Sequence, residues 1–563
     1  MLKHSAVQPS PPRAINTSRM WWLLATVVAV LVLGPLVALQ TVALSDGAYG
    51  RMIEQGEFGR ALTQTLQLGA GSALIGVAGG LVLAFAAWRL PRNARFLTII
   101  PLMPLLLPAI ASVVGWSFLF SPRVGYGNQL LRSMMFWSDA EEGPLNIYSM
   151  PGMIVVTGMH LVSFVYIFCY NALTRLDGSL VEAAQVSGAT GLKRIWTVAL
   201  PLLRPALVFS GAMVFIIGLG TFNAPLLLNL NNSAETLTIK MYDTMQFIPV
   251  DYGLAAAYGS PLILLGIALV LLQQRMLRSG ERFQTTGARG GVRSVKSSWS
   301  AAITITVFGL VAVVLPMVAV VIVAFSPFWS EGVSLGDFTT ANFVDVLTAS
   351  ATLRSIENSV YYTLGALILI VPISYLSAML LVKSDRSTRF SRKLTDVLVN
   401  TPLTVPAVIF GAGLLIVVAA GPVRLYGSPW SFVLAYAIIG IPFVTRMLLS
   451  AMLNIHPSFM EAARTNGAPV WRSHLEIMVP MIRPALGAGV ALILTVLTQE
   501  FPASVMLHTS RTEVMGTQFF KYWDSGYYPN VAVMAVVMCV VTGLSVAIAM
   551  VVGGQKSLSQ IGR

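Results

Sequence analysis

Apolar runs long enough to cross a hydrocarbon layer of about 30 Å, which takes roughly 20 helical residues, recur along the whole chain. Twelve such runs are read: 21–44, 65–88, 96–120, 150–171, 203–228 and 254–274, then 300–326, 358–382, 396–420, 430–453, 484–507 and 530–553. Several contain Gly and Pro, which membrane helices tolerate better than soluble ones. The pattern predicts an all-α integral membrane protein of about twelve transmembrane helices. The first run, Trp21 to Leu44, follows Lys3, Arg13 and Arg19 as a secretory signal would. It exceeds the roughly 7–15-residue core of a signal peptide and is read as a retained helix. The Pro-rich stretch Gln8–Arg13 before it is expected to be disordered.

Composition agrees. With 56% hydrophobic and 10% charged positions, the chain has too few charges to cover a soluble surface, which ordinarily carries about 25%. The net charge of +13 does not form a nucleic-acid stripe but recurs in clusters between the apolar runs. Lys and Arg near helix ends stay on the cytoplasmic side. Arg89, Arg92 and Arg95 fill the second loop; Arg275, Arg278, Arg282, Arg289, Arg293 and Lys296 the sixth; Lys383, Arg386, Arg389, Arg392 and Lys393 the eighth. Odd loops are mostly neutral or acidic, as with Asp139, Glu141 and Glu142 or Glu331, Asp337 and Asp345. Both termini are therefore expected in the cytoplasm.

The polar, basic sixth loop reads as a linker. The expected division is a tail at 1–20, a six-helix half at 21–274, the linker at 275–299, a second half at 300–553 and a tail at 554–563. Six spans return the chain to its starting side, so the halves form a parallel repeat, which disfavours inverted-repeat carriers.

The repeat is visible in the fourth and tenth loops, within 177–201 and 456–480. One copy reads EAAQVSGATGLKRIWTVALPLLRPAL from Glu182, the other EAARTNGAPVWRSHLEIMVPMIRPAL from Glu461, without a gap. Glu182, Ala183, Ala184, Gly188 and Pro201 match Glu461, Ala462, Ala463, Gly467 and Pro480. Glu-Ala-Ala favours a helix, the Gly supplies a left-handed terminating residue, and a second amphipathic turn follows. Leu200-Pro201 and Val479-Pro480 are expected to break that turn before the next span. A single elbow is explained by chain re-entry alone; two gapless copies at equivalent places are not explained by helix propensity. Pro104 and Pro108 pair with Pro402 and Pro406, marking a bend read either as a packing kink or as a gate. Phe222-Asn223-Ala224 aligns with Phe501-Pro502-Ala503.

On these residues the chain resembles the binding-protein-dependent ABC importer permeases of type I, in a fused two-domain form. The resemblance implies a MetI-like fold and a location in the bacterial cytoplasmic (inner) membrane. It also implies two cytoplasmic ABC ATPase subunits, each docked on one EAA loop, and a periplasmic or extracellular binding protein. Glu182, Ala183, Ala184, Gly188, Pro201 and their second-half matches would be the coupling residues. Pro469 stands where the first copy has Thr190, so the two sockets would differ. TFNAPLLL from Thr221 and the stretch from Phe501 to Pro529 are similar to permeases for ferric iron, thiamine, polyamines and phosphonates, with ferric iron the first expectation. ATP and Mg would be bound by the partner subunits and no cofactor by this chain.

Ionisable or strongly polar groups at membrane depth are pathway candidates. Glu500, beside Gln499, is read as lining the central cavity or as lying at the interface; Asn223, at nearly the corresponding place, would face it. His160 is expected to hydrogen-bond a neighbouring helix, and Arg446 to snorkel. There is no Gly-Lys dipeptide and hence no phosphate-binding loop of that kind. No catalytic motif and no metal-ligand spacing are seen, and Cys169 and Cys539 read as small packed residues. The chain is not expected to be an enzyme. The rival reading is a twelve-helix ion-coupled secondary transporter, which predicts buried charge pairs along the passage.

Overall fold

The computed structural model describes residues 17–134, 141–174, 197, 199–229, 234–278, 298–330, 332, 335–382, 389–420 and 424–553. The tail at Gln8–Arg13, most of the basic linker, and Glu182, Ala183, Ala184 and Gly188 lie outside the described residues. Among the described residues there is no strand.

Among the described residues, ten helices are long and apolar enough to span a membrane. In chain order they are α1 (Thr17–Ser45), α2 (Phe58–Trp88), α3 (Met150–Thr174), α4 (Leu200–Leu219), α5 (Tyr252–Arg278), α6 (Trp299–Phe325), α7 (Ser350–Val382), α8 (Pro429–Leu453), α9 (Val470–Thr498) and α10 (Tyr528–Gly553). The third and ninth apolar runs are not straight spans. Arg92–Leu106 meets Ala109–Phe120 at 93°, and Arg389–Leu403 meets Ala407–Ala419 at 106°. The cause lies at the Pro pairs. A residue before proline is pushed out of the helical region, and Leu107 is extended (φ −86°, ψ 141°) immediately before Pro108. Counting each bent pair as one span gives twelve.

Within each half the second and fourth spans pack together, α2 on α3 and α7 on α8. The first span of each half instead crosses to the other. The helix α1 packs on Ala407–Ala420 and Arg389–Asn400, while α6 packs on Ala109–Phe120 and Arg92–Leu102. Both crossings use one device. A side chain at Gly413 would collide with the Pro35 carbonyl oxygen, and one at Gly115 would lie 2.6 Å from the Pro316 carbonyl oxygen. Gly413 stands seven residues beyond Pro406, as Gly115 stands seven beyond Pro108. Small residues let membrane helices approach to backbone contact, where packing replaces the hydrophobic drive that lipid removes.

One expected break is absent. Pro480 does not interrupt the chain between elbow and span, because His474–Met478 forms a π turn in which the Val479 amide reaches back to the His474 carbonyl. The wider turn accommodates the proline ring, which would clash with the carbonyl of residue i−4 in a regular helix. Leu310–Val314 does the same ahead of Pro316. The helix α9 therefore runs unbroken over 29 residues.

Gly413→Leu should lower the thermal unfolding midpoint of the purified protein in detergent, by the equivalent of about 1–3 kcal/mol or more, as overpacking does. Gly543→Ala, with nothing within 4 Å of its added carbon, should not lower it.

Candidate functional site

The fifth and eleventh apolar runs, expected to be single spans over 203–228 and 484–507, each break near one end. The helix α4 stops at Leu219, with the Gly220 amide closing its last turn on Ile216; Thr221 and Phe222 lead into a short helix, Asn223–Leu228. The helix α9 stops at Thr498, and Gln499–Ala503 leads into Ser504–Leu507. Glu500 fixes this second break. Its buried carboxylate accepts from the Ala503 amide (2.7 Å), the Ser504 amide (3.0 Å) and the Ser504 hydroxyl (2.5 Å). The carboxylate thereby caps the short helix, whose first amides have no partner of their own. Glu500, read as lining the cavity or lying at the interface, is here a buried internal cap, 7% exposed. Tyr436 of α8 shares the Ser504 hydroxyl at 3.0 Å.

The breaks place Phe222 and Phe501, both buried, with ring centroids 5.8 Å apart. Two short helices complete the cluster. Tyr242 on Leu237–Gln246 lies 5.5 Å from Phe222, Phe520 on Met515–Asp524 lies 5.6 Å from Phe501, and Tyr242 and Phe520 lie 6.4 Å apart. Phe222 and Phe501 are equivalent in the aligned repeat, and Tyr242 and Phe520 are each the sixth residue of their short helix. Like therefore meets like across the two halves. All four separations lie in the range of favourable aromatic pairs, each worth about 0.5–1.5 kcal/mol beyond area burial. The short helices are held alike: the Leu237 amide donates to Thr65 of α2 at 2.9 Å, and the Met515 amide to Ser359 of α7 at 2.8 Å. The four rings make a continuous aromatic cluster between the halves, called the seal below after the role proposed for it.

Asn223 and Gln499 flank the seal in sequence, and the side-chain oxygen of each is buried without a hydrogen-bond partner among the described residues. Next to Tyr242, burial pushes the Asp243 carboxyl up to about 6, with Lys240 opposing and Glu235 adding.

At the other end of α9 lies the second elbow. Ser458–Thr465 is a helix with Glu461 and Ala462 exposed and Ala463 buried. Gly467 is left-handed at φ 79°, with its amide on the Arg464 carbonyl (3.0 Å) and the Ala468 amide on the Ala463 carbonyl (3.1 Å). This is the helix-ending pattern that the glycine predicted. His474 bonds Tyr375 of α7 at 2.9 Å, tying the elbow's stem to a span.

Sequence reasoning singled out Asn223, Gln499 and Glu500 but passed over Phe222 and Phe501 as seal residues. Their signal was present in the aligned Phe-Asn-Ala and Phe-Pro-Ala triplets. Among the described residues no hydrogen bond joins His160 to a neighbouring helix, contrary to expectation. Arg446 does not simply snorkel: its guanidinium reaches Asn400 (2.9 Å) and Asp396 (2.8 Å).

The family model for "Binding-protein-dependent transport system inner membrane component" matches residues 76–279 and again 370–556. The chain is 23% identical over 469 residues to a probable ABC transporter permease protein, y4fN, of Sinorhizobium fredii, covering 81% of this chain and 80% of that one. It is 21% identical over 477 residues to a putative ferric transport system permease protein, FbpB 1, of Haemophilus influenzae, covering 83% and 73%. Over 212 residues it is 30% identical to the sn-glycerol-3-phosphate transport system permease protein UgpA of Agrobacterium fabrum, covering 37% and 71%.

Glu500→Ala strips three donors of a buried acceptor, each loss costing about 1–3 kcal/mol, and should lower the unfolding midpoint far more than Glu500→Gln, which keeps one acceptor. Asp243 holds its proton in the folded protein at pH values where the unfolded carboxyl, near 3.8, has released it. Its contribution to stability therefore falls as pH rises from about 4 to about 6; Asp243→Asn should flatten that slope in pH-dependent thermal melts.

Proposed function

We infer the working of this chain from one premise: it belongs to the family of binding-protein-dependent transport system inner membrane components. It is the membrane permease of an ABC importer. The ion-coupled carrier reading is not favoured by that membership. We propose that the four rings are the gate on the side where cargo enters, and that the two elbows are the handles by which separate ATPase subunits work it.

The observation that carries this reading is continuity. The elbow at Gly467 and the break bearing Phe501 are the two ends of the single helix α9. At 1.5 Å per residue, its 29 residues form a rod of about 43 Å. Displacement of the elbow's stem, from Val470 onward, is thus delivered to the break before Phe501 through one continuous helix. In the first half α4 likewise runs from Pro201 at its start to the break before Phe222. On this reading Glu182, Ala183, Ala184 and Gly188 form the matching handle, the elbows and both termini face the cytoplasm, and two ATPases supply the hydrolysis. A binding protein delivers cargo to the opposite face. When the rings part, the unpaired oxygens of Asn223 and Gln499 offer acceptors to a solute bearing donors.

The first cargo we propose is ferric iron, supported by the similarity to a ferric transport permease. Thiamine, polyamine and phosphonate follow on resemblance alone, and the binding protein encoded beside this chain would decide among them.

Glu461→Lys combined with Glu182→Lys should abolish co-purification of the ATPase while the permease still inserts; undiminished pull-down and uptake would refute the handle role. Gly467→Val forces a β-branched residue to positive φ, a strain of about 1–2 kcal/mol, and should reduce nucleotide-driven uptake. Phe222→Ala with Phe501→Ala should give leak from proteoliposomes without nucleotide. A tight double variant would remove the gate assignment.

A further inference from the structure

A groove of about 420 Å³ opens on the outside of the bundle between α7 and α8, lined by Asn358, Tyr361, Ile368, Leu369, Trp430 and Val433. It lies at the end of α8 away from the elbow, since α8 begins at Pro429 and leads into the elbow beyond Leu453. Its walls face lipid: Ile368 is 75% exposed and Tyr361 65%. Tyr and Trp at one level of a span mark the membrane interface.

The charges at this end are distributed unevenly. Arg51, Arg60, Arg123, Lys240 and Lys521 each meet a carboxylate, and Arg132 donates to the carbonyls of Glu141 and Arg123. The remaining cations at this end, Arg354, Arg424 and Arg511, have no hydrogen bond or ion pair among the described residues. Arg354 stands on the helix that lines the groove, Arg424 on the loop leading into Pro429, and Arg511 on a loop packed beside both. Arg354 is one turn before Asn358 and shares its helix face with Asn358, Tyr361, Gly365 and Ile368. Arg424 and Arg511 lie on two loops that approach each other at Gly427 and Thr509, and the Asn358 amide ties α7 to the second loop through the Glu513 carbonyl at 2.9 Å. Glu357 is the single exposed carboxylate on α7 and forms no ion pair among the described residues.

We propose that this groove is a binding site for one phospholipid, with its phosphate held by Arg354, Arg424 and Arg511 and an acyl chain laid along Tyr361, Ile368 and Trp430. The dimensions agree. From Arg354 to Leu369 the helix rises about 22 Å, half of a bilayer of about 40–45 Å including headgroups. Three unpaired guanidiniums above an apolar slot match an amphiphile with an anionic head. A second transmembrane helix or a second copy of the chain would fill the slot but leave the cations unanswered.

Native mass spectrometry of the purified full chain, exchanged into detergent and supplemented with phosphatidylglycerol, tests this. One lipid should remain bound to the wild type. Arg354→Glu should weaken its retention about fivefold or more, the scale of one cation at a membrane surface, and Ile368→Trp should displace it by filling the slot. Arg123→Ala should retain it. Arg354 is exposed, so Arg354→Gln serves as a milder variant whose folding a melt can verify. Equal lipid retention in Arg354→Glu, Arg354→Gln and Ile368→Trp would overturn the proposal, as would cross-linking of two copies through Ile368→Cys.

Discussion

The architecture depends on two reciprocal crossings at which a glycine of one half rests on the backbone beside a proline of the other. In lipid, apolar surface gains little by being buried against apolar surface, so helices associate where their shapes permit close approach. Gly413 on Pro35 and Gly115 on Pro316 provide that approach at equivalent places. Each crossing binds the first span of one half to the bent pair of the other. The bent pairs are thus clamped from outside the half that encodes them, and neither half has its full set of neighbours alone. This tethering leaves α9, which carries the elbow at Gly467, as a helix that reaches from the elbow to the break before Phe501.

Around the axis, the problem is to close a passage between two similar surfaces without a strand or an added domain. Aromatic rings suit this, because two like rings can meet edge to face or tilted at 5–7 Å and exclude water with little side-chain entropy to lose. The backbone must turn sharply to aim them. Breaks at Gly220–Phe222 and Gln499–Ala503 do so; Glu500 satisfies the Ala503 and Ser504 amides at the second break, and Thr65 and Ser359 hold the first amides of the two short helices. Irregular backbone at membrane depth is tolerated where protein buries it.

Much of this was legible in the chain. Apolar length gave the spans, and the paired prolines gave the bends, since a proline and its predecessor act on the backbone wherever they stand. The glycine six residues after Glu461 gave the elbow's end, because left-handed backbone has a steep residue preference. Three features were hidden. Pro480 was read as a break because periodicity does not reveal a π turn that makes room for the ring. Glu500 was read as a pathway charge because the carbon chain of a glutamate says nothing about which amides lie within its reach. The seal was missed because phenylalanine at membrane depth is ordinary, and only its recurrence at equivalent places set it apart.

Fusion of the halves in one chain explains where symmetry is kept and where it lapses. Residues that touch their counterparts, Phe222 with Phe501 and Tyr242 with Phe520, are aromatic in both halves, and a change on one side would leave the other without a ring to meet. One step away the halves differ. Glu500 occupies the place of Thr221, Pro502 that of Asn223, and Pro469 that of Thr190. A homodimer would have to repeat each of these, placing two buried carboxylates near the axis, where like charges at low dielectric repel strongly. A single chain carries one. The buried acid, the unpaired amide oxygens and the altered elbow are therefore features that a fused chain can place once, on one side of a seal that is otherwise matched across it.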